Sequence, residues 1–122
     1  MENTKKSSEE ILEIISTALE DKMGDDIRIL DLNGISSLTD YFVIVSGNNK
    51  RQAMTMAEEV EKKLKEVGVL LYHSEGQQAA EWIVLDFGNV IIHIFDSETR
   101  EFYNLERTWG DAKIMELRGN KA

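Results

Sequence analysis

Cysteine is absent from the 122 residues, which removes disulfides, thiolate zinc sites and a cysteine nucleophile from consideration. The gap fits a reducing compartment and leaves the fold resting on its apolar core alone. No apolar run reaches the roughly 18 residues that a membrane-spanning helix needs. The opening MENTKKSSEE has neither the apolar stretch nor the small-residue cleavage site of a signal peptide. A soluble, cytoplasmic chain with no membrane partner is expected. Basic charge is scarce too: 14 Lys and Arg stand against 23 Asp and Glu, a formal charge of -9. Nucleic-acid binding needs a stripe of Lys and Arg to release counterions, and no such stripe is legible, so strong direct binding is not expected. The acidity either keeps the protein soluble or draws a basic protein partner, and both readings stand at this level. The length suits one compact domain over residues 1–122 and is too short for a cofactor domain plus a substrate domain. Internal repeats and low-complexity linkers are also missing.

What is present alternates between helical and strand periods. Ser7-Ser8-Glu9-Glu10 has the spacing of a capping box. Ile11, Leu12, Ile15, Ala18 and Leu19 then continue as one helical stripe, with Gly24 expected as the C-terminal cap. Asp26 to Leu32 alternates like a half-buried strand before the turn residues Asn33-Gly34. Asp40 to Gly47 is a nearly unbroken β-forming run, the pattern of a central strand covered on both faces. A helix over about Lys50 to Val67 sets Ala53, Ala57, Val60, Leu64 and Val67 on one side. Its other side pairs Glu58 with Lys62, Glu59 with Lys63 and Glu61 with Lys65, and Gly68 ends it. Val69 to His73 reads as a strand and Gly76 to Ala80 as a loop. After a β-hairpin, Ser97 is placed to cap a short helix, and YNLERTWGDAKIMEL returns apolar residues to the core. Arg118 to Ala122 are expected to fray.

The hairpin EWIVLDFGNVIIHIFD, Glu81 to Asp96, raises the question of chemistry, because it sets Trp82, Asp86, His93 and Asp96 among apolar β-formers. With Gly88-Asn89 as a two-residue turn of type II′, the opposed pairs run from Phe87 with Val90 to Trp82 with Phe95. Period-two alternation puts Ile83, Leu85, Phe87, Val90, Ile92 and Ile94 on an apolar face. Trp82, Val84, Asp86, Ile91, His93 and Phe95 fall on a mixed one. Asp86 and His93 lie diagonally, where a hydrogen bond depends on twist and rotamer. Two groups fall short of a metal site, which needs about three converging ligands. A lone His with one carboxylate and no nucleophile is more often a structural pair than a general base. Trp82 is either covered by a helix or, if exposed, has the make-up of a binding hot spot together with Asp86 and His93. Its burial decides between the two.

A strand running into Ser46-Gly47-Asn48-Asn49 and a helix has the outline of a phosphate-binding loop. It has a single Gly, no GxxxxGK[ST] and no GxGxxG, and no Asp pair follows that would hold Mg²⁺. An ordinary strand-to-helix connection accounts for it, and no cofactor is expected.

Three segments in order carry a family resemblance: DYFVIVSGNNKRQ (Asp40 to Gln52), EGQQAAEWIVLDFGNVIIHIF (Glu75 to Phe95) and REFYNLERTWGDA (Arg100 to Ala112). Trp82, Asp86, Gly88, Val90 and His93, followed by Tyr103, Leu105, Glu106, Trp109 and Ala112, fall on the pattern of the ribosomal silencing factors, the Iojap-related family. The chain resembles that family over about residues 7–112, with Asn49 as a small departure where many members have Ser. The resemblance implies an α/β, nucleotidyltransferase-like mixed sheet of about five strands flanked by helices, without catalytic carboxylates. It also implies a non-enzymatic repressor of translation. Such a protein binds the fourteenth protein of the large ribosomal subunit and blocks association with the small subunit under slow growth or starvation. A homodimer is compatible with it. Trp82, Asp86 and His93, with Glu81 beside them and Phe87 at the hairpin tip, are the expected contacts. The competing readings are a nucleotide-binding enzyme of that fold and an assembly factor that touches ribosomal RNA.

Overall fold

A computed structural model of the chain describes residues 7–115; the expected fraying of residues 118–122 lies outside them. The first helix, α1 (Ser8–Asp21), starts at the capping box read from the sequence. The Ser7 hydroxyl accepts from the Glu10 amide at 3.1 Å, and the Glu10 carboxylate accepts from the Ser7 amide at 2.9 Å. Its end differs from expectation. Met23, at φ 66°, takes the left-handed position, its amide reaching the Glu20 carbonyl while the Gly24 amide reaches that of Leu19. This is a Schellman closure. Gly24 is needed one residue later for space, because a Cβ there would lie 2.8 Å from Val45.

Strand β1 (Asp25–Asp31) pairs antiparallel with β2 (Tyr41–Gly47), with a register shift between Asp25 and Arg28. Helix α2 (Lys50–Glu66) is capped by Asn49 and closes at Gly68. It buries Ala53, Met56, Ala57, Val60 and Leu64. Of the three helical ion pairs read from spacing, Glu59 reaches Lys63 at 4.0 Å. The strand expected over 69–73 begins later, as β3 (His73–Glu75), paired antiparallel with β4 (Trp82–Asp86). Val69 and Leu71 serve as apolar plugs against the core instead, and ladder bonding starts only where the Tyr72 amide meets the Asp86 carbonyl.

Strand β5 (Val90–Asp96) completes the hairpin with β4. The register is the one deduced from the turn, Trp82 opposite Phe95 through Asp86 opposite Ile91, with Gly88 at φ 94°. Asp96 rather than Ser97 caps α3 (Ser97–Tyr103), its carboxylate accepting from the Thr99 amide at 2.8 Å. Asn104, left-handed at φ 48°, ends α3 and caps α4 (Leu105–Thr108). A sixth strand, β6 (Lys113–Met115), pairs with β1, one more than the five or so expected.

The six strands described form one mixed sheet in the order β3-β4-β5-β2-β1-β6, parallel only between β2 and β5. Helices α1 and α2 seal one face over Ile29, Val43, Val45, Ile83, Leu85, Ile92 and Ile94. The other face holds Leu30, Leu32, Phe42, Ile44, Ile91 and Phe95. Leu105, Trp109 and Ala112 pack onto this second face as a partial roof. The parallel β2 strand is buried from Phe42 through Gly47, as its unbroken apolar run implies.

Candidate functional site

The partial roof answers the question the hairpin raised. The segment from α3 to Ala112 covers the β1, β2 and β5 part of the second face and leaves the β4 and β3 flank open. Along β4, Trp82, Val84 and Asp86 are all half-buried, while their β5 counterparts Ile91, His93 and Phe95 are buried. Residues directly opposite in a ladder share a face, so Glu75 joins Val84 and His73 joins Asp86 on this flank. His73 and Glu75 are exposed and meet at 2.8 Å.

Trp82 sits at the boundary between covered and open sheet. Its indole Nε1 donates to His93 Nδ1 at 3.0 Å, and its ring stacks on Phe95 with centroids 4.9 Å apart. Tyr103 of α3 leans on its outer side at 4.6 Å, and Phe102 meets Tyr103 edge-on at 5.1 Å. The four rings step from core to solvent. Phe95 is fully buried, Trp82 is half-buried, Tyr103 is 48% exposed and Phe102 is 80% exposed. Contiguous aromatic groups left in water are enriched at recognition surfaces relative to the rest of a protein's surface.

His93 is 6% exposed and packs edge-on against Phe42 at 4.5 Å. Because Nδ1 accepts from Trp82, the neutral ring carries its proton on Nε2, which is buried without a hydrogen-bond partner among the described residues. Burial pushes its pKa down to about 4. A protonated ring would also turn a second N–H against the indole donor. His93 is therefore a neutral, structural acceptor that orients Trp82.

The remaining expected contacts separate. Asp86 does not pair with His93; its carboxylate accepts from the Gly88 amide at 2.8 Å and braces the hairpin turn. Phe87 is buried in the core under α1 and α2, because alternation turns its ring away from the mixed face, so it cannot reach a partner docked beside Trp82. Glu81 is exposed, one residue out of phase with Trp82. Sequence reasoning did not single out Phe102 and Tyr103 as contacts. The available signal was Phe102-Tyr103 in a short helix with no apolar stripe to explain the pair. Among the described residues, no cluster of three or more His, Asp and Glu has the geometry to hold a metal ion, and no helix is long and apolar enough to cross a membrane.

Comparison with known proteins converges on one group. Residues 5–122 match the family model described as "Ribosomal silencing factor during starvation". A ribosomal silencing factor from Halalkalibacterium halodurans is 37% identical over 113 residues, 93% of this chain and 97% of that protein. A mouse protein named for mitochondrial assembly of the ribosomal large subunit is 32% identical over 101 residues, 80% of this chain and 44% of its own length. A crystal structure of a Chromobacterium violaceum protein superposes with a TM-score of 0.84 at 34% identity, covering 93% of each chain. The chain belongs to the ribosomal silencing factor family.

Proposed function

We propose that this protein represses translation by steric exclusion. It binds the fourteenth protein of the large ribosomal subunit with the open flank of its second sheet face, and the small subunit then cannot dock. The aromatic ladder from Phe95 through Trp82 and Tyr103 to Phe102 is the observation that carries this reading. Half-buried aromatic anchors whose bases are held rigid contribute strongly to binding at low entropic cost. The acidic surroundings, with Glu75 on the same flank and a net charge of -9, suit a basic ribosomal surface and would speed encounter. Exclusion needs placement and affinity but no turnover, so the protein acts without catalysis. The mouse relative's name favours a second reading, a part in assembly of the large subunit.

Co-sedimentation with purified large subunits, followed by a subunit-joining assay, tests the proposal. Truncating a central anchor typically costs about 2 kcal/mol or more of binding, roughly 30-fold in affinity. Trp82→Ala should therefore bind at least that much more weakly and lose its block on joining. Tyr103→Ala and Phe102→Ser, which remove exposed rings, should do so with the fold intact. Undiminished co-sedimentation of all three variants would remove this flank from the interface.

A further inference from the structure

Arg100 is a buried cation engaged by three other elements of the fold. Its side chain is 9% exposed. Nη1 donates to the Asp26 carbonyl at 2.9 Å and to the Ser46 hydroxyl at 2.8 Å. Nη2 donates to the Glu106 carboxylate at 2.8 Å and lies 3.5 Å from that of Asp26. One guanidinium thus joins the start of β1, the end of β2, and α4. Burying a cation is costly unless its donors are satisfied, and the backbone is shaped to satisfy them. Asp26 adopts φ 53° at the register shift of β1, a left-handed conformation that Asp tolerates, and its carbonyl meets Nη1.

The elements this clamp holds are short. With seven residues in α3 and four in α4, neither would persist without tertiary anchors. Leu105 and Trp109 anchor the far part of the roof against the second core. Near the top of the sheet, Arg100 ties α3 down. Residues three apart on a helix lie on neighbouring positions of its surface, so the fork at Arg100 also fixes the rotation of α3 that puts Tyr103 on Trp82.

We infer that Arg100 is a positioning residue for the recognition face: through Asp26, Ser46 and Glu106 it locks α3 in the rotation that sets the Tyr103 ring, tilted by 45°, against Trp82 and presents Phe102. The inference rests on the proposed use of that face for its effect on binding, but not for its effect on geometry. Lysine cannot replace Arg100, because a single ammonium cannot place planar, forked donors on partners from three elements.

The test uses the full chain and two readouts. In the isolated protein, nuclear Overhauser cross-peaks between the Tyr103 ring and the Trp82 indole should be present in the parent. They should be lost in Arg100→Lys, while the amide spectrum of α1, α2 and the hairpin is retained. Co-sedimentation with large subunits should weaken about tenfold or more in Arg100→Lys. The same substitution made on a Tyr103→Ala background should add nothing, since Arg100 acts through that ring. Retained cross-peaks in folded Arg100→Lys, or an equal loss of binding on both backgrounds, would overturn the inference. If Arg100→Lys does not fold, Glu106→Gln takes its place: weakened cross-peaks support the clamp and unchanged ones overturn it. Should Tyr103→Ala bind like the parent, Tyr103 leaves the proposed interface, and the cross-peaks still decide the role of Arg100.

Discussion

The two faces of the sheet carry apolar cores built on the same strands, yet they are finished differently. Two long helices close the first face, and every side chain that β4 and β5 direct to it between Ile83 and Ile94 is buried. The second face receives two short helices and a stretch of loop that reach β4 only at Trp82, through Tyr103, leaving Trp82, Val84 and Asp86 half-buried at a boundary. The sealed face holds the fold together. The half-sealed face lends its rigidity to a surface: Trp82 is pinned from within by Phe95 and His93, while Tyr103 and Phe102 extend the same row of rings into water.

Substitution can break this division of labour. The largest effect is expected from Ile94→Ala in the sealed core, which should lower stability by about 2–5 kcal/mol through lost burial and a residual cavity. Urea unfolding measures it, and the folded fraction should bind large subunits like the parent. A loss of binding beyond the loss of folded protein would mean that the faces are not independent.

Acid should attack the second face. The folded-state pKa of His93, about 4, lies below the 6.5 of the unfolded chain. The unfolded state therefore takes up the proton first, and stability falls as pH drops from 6.5 towards 4. This one group contributes a loss of about 3 kcal/mol. Unfolding midpoints at pH 7 and pH 4, compared between the parent and His93→Phe, isolate it, because the substituted protein should lack this increment. Equal pH dependence in the two proteins would show that His93 is not held neutral by a dry core.

A smaller effect follows from Trp82→Phe, which keeps an aromatic ring and removes the donor to His93 Nδ1. Stability should drop by about 1–2 kcal/mol as a buried acceptor loses its partner. The His93 pKa, read from ring-proton shifts, should rise, since the bond favours the neutral ring. On the outer surface of α2, Lys63→Ala removes the 4.0 Å contact with Glu59 and should change stability by no more than about 0.5 kcal/mol, with binding unaltered. A large effect there would put a functional surface on the sealed side.

Legibility in the sequence tracked the distance over which each feature is decided. The hairpin register followed from Gly88-Asn89, and period-two alternation then sorted all the residues of β4 and β5 onto their observed faces. The capping box at Ser7 and the helical stripes were equally readable, being settled within a turn or two of helix. Misplaced features were those in which a neighbour competed. Met23 displaced Gly24 from the left-handed position because Gly24 was needed against Val45. Asp96 took the cap from Ser97 by being one residue closer to the end of β5. Strand β3 began at His73 because pairing with Asp86, and not the apolar character of 69–72, defines it. In the candidate site, alternation places Trp82 on its face but leaves an Asp86–His93 bond open, and only the fold shows His93 accepting from Trp82, Asp86 bracing the turn and Phe87 buried in the other core.

By itself, then, the sequence determined the two long helices, the central strands and their amphipathic faces, the hairpin register and the acidic field, because each depends on residues adjacent in the chain or on simple sums. Tertiary structure decided the strand order, the edge of the roof and the company kept by Trp82. It also decided the burial of Arg100 between Asp26, 74 positions away, and Ser46, 54 positions away. Contacts of that span have no period and no local spacing to read; they exist only once the sheet has brought distant backbone within hydrogen-bonding reach.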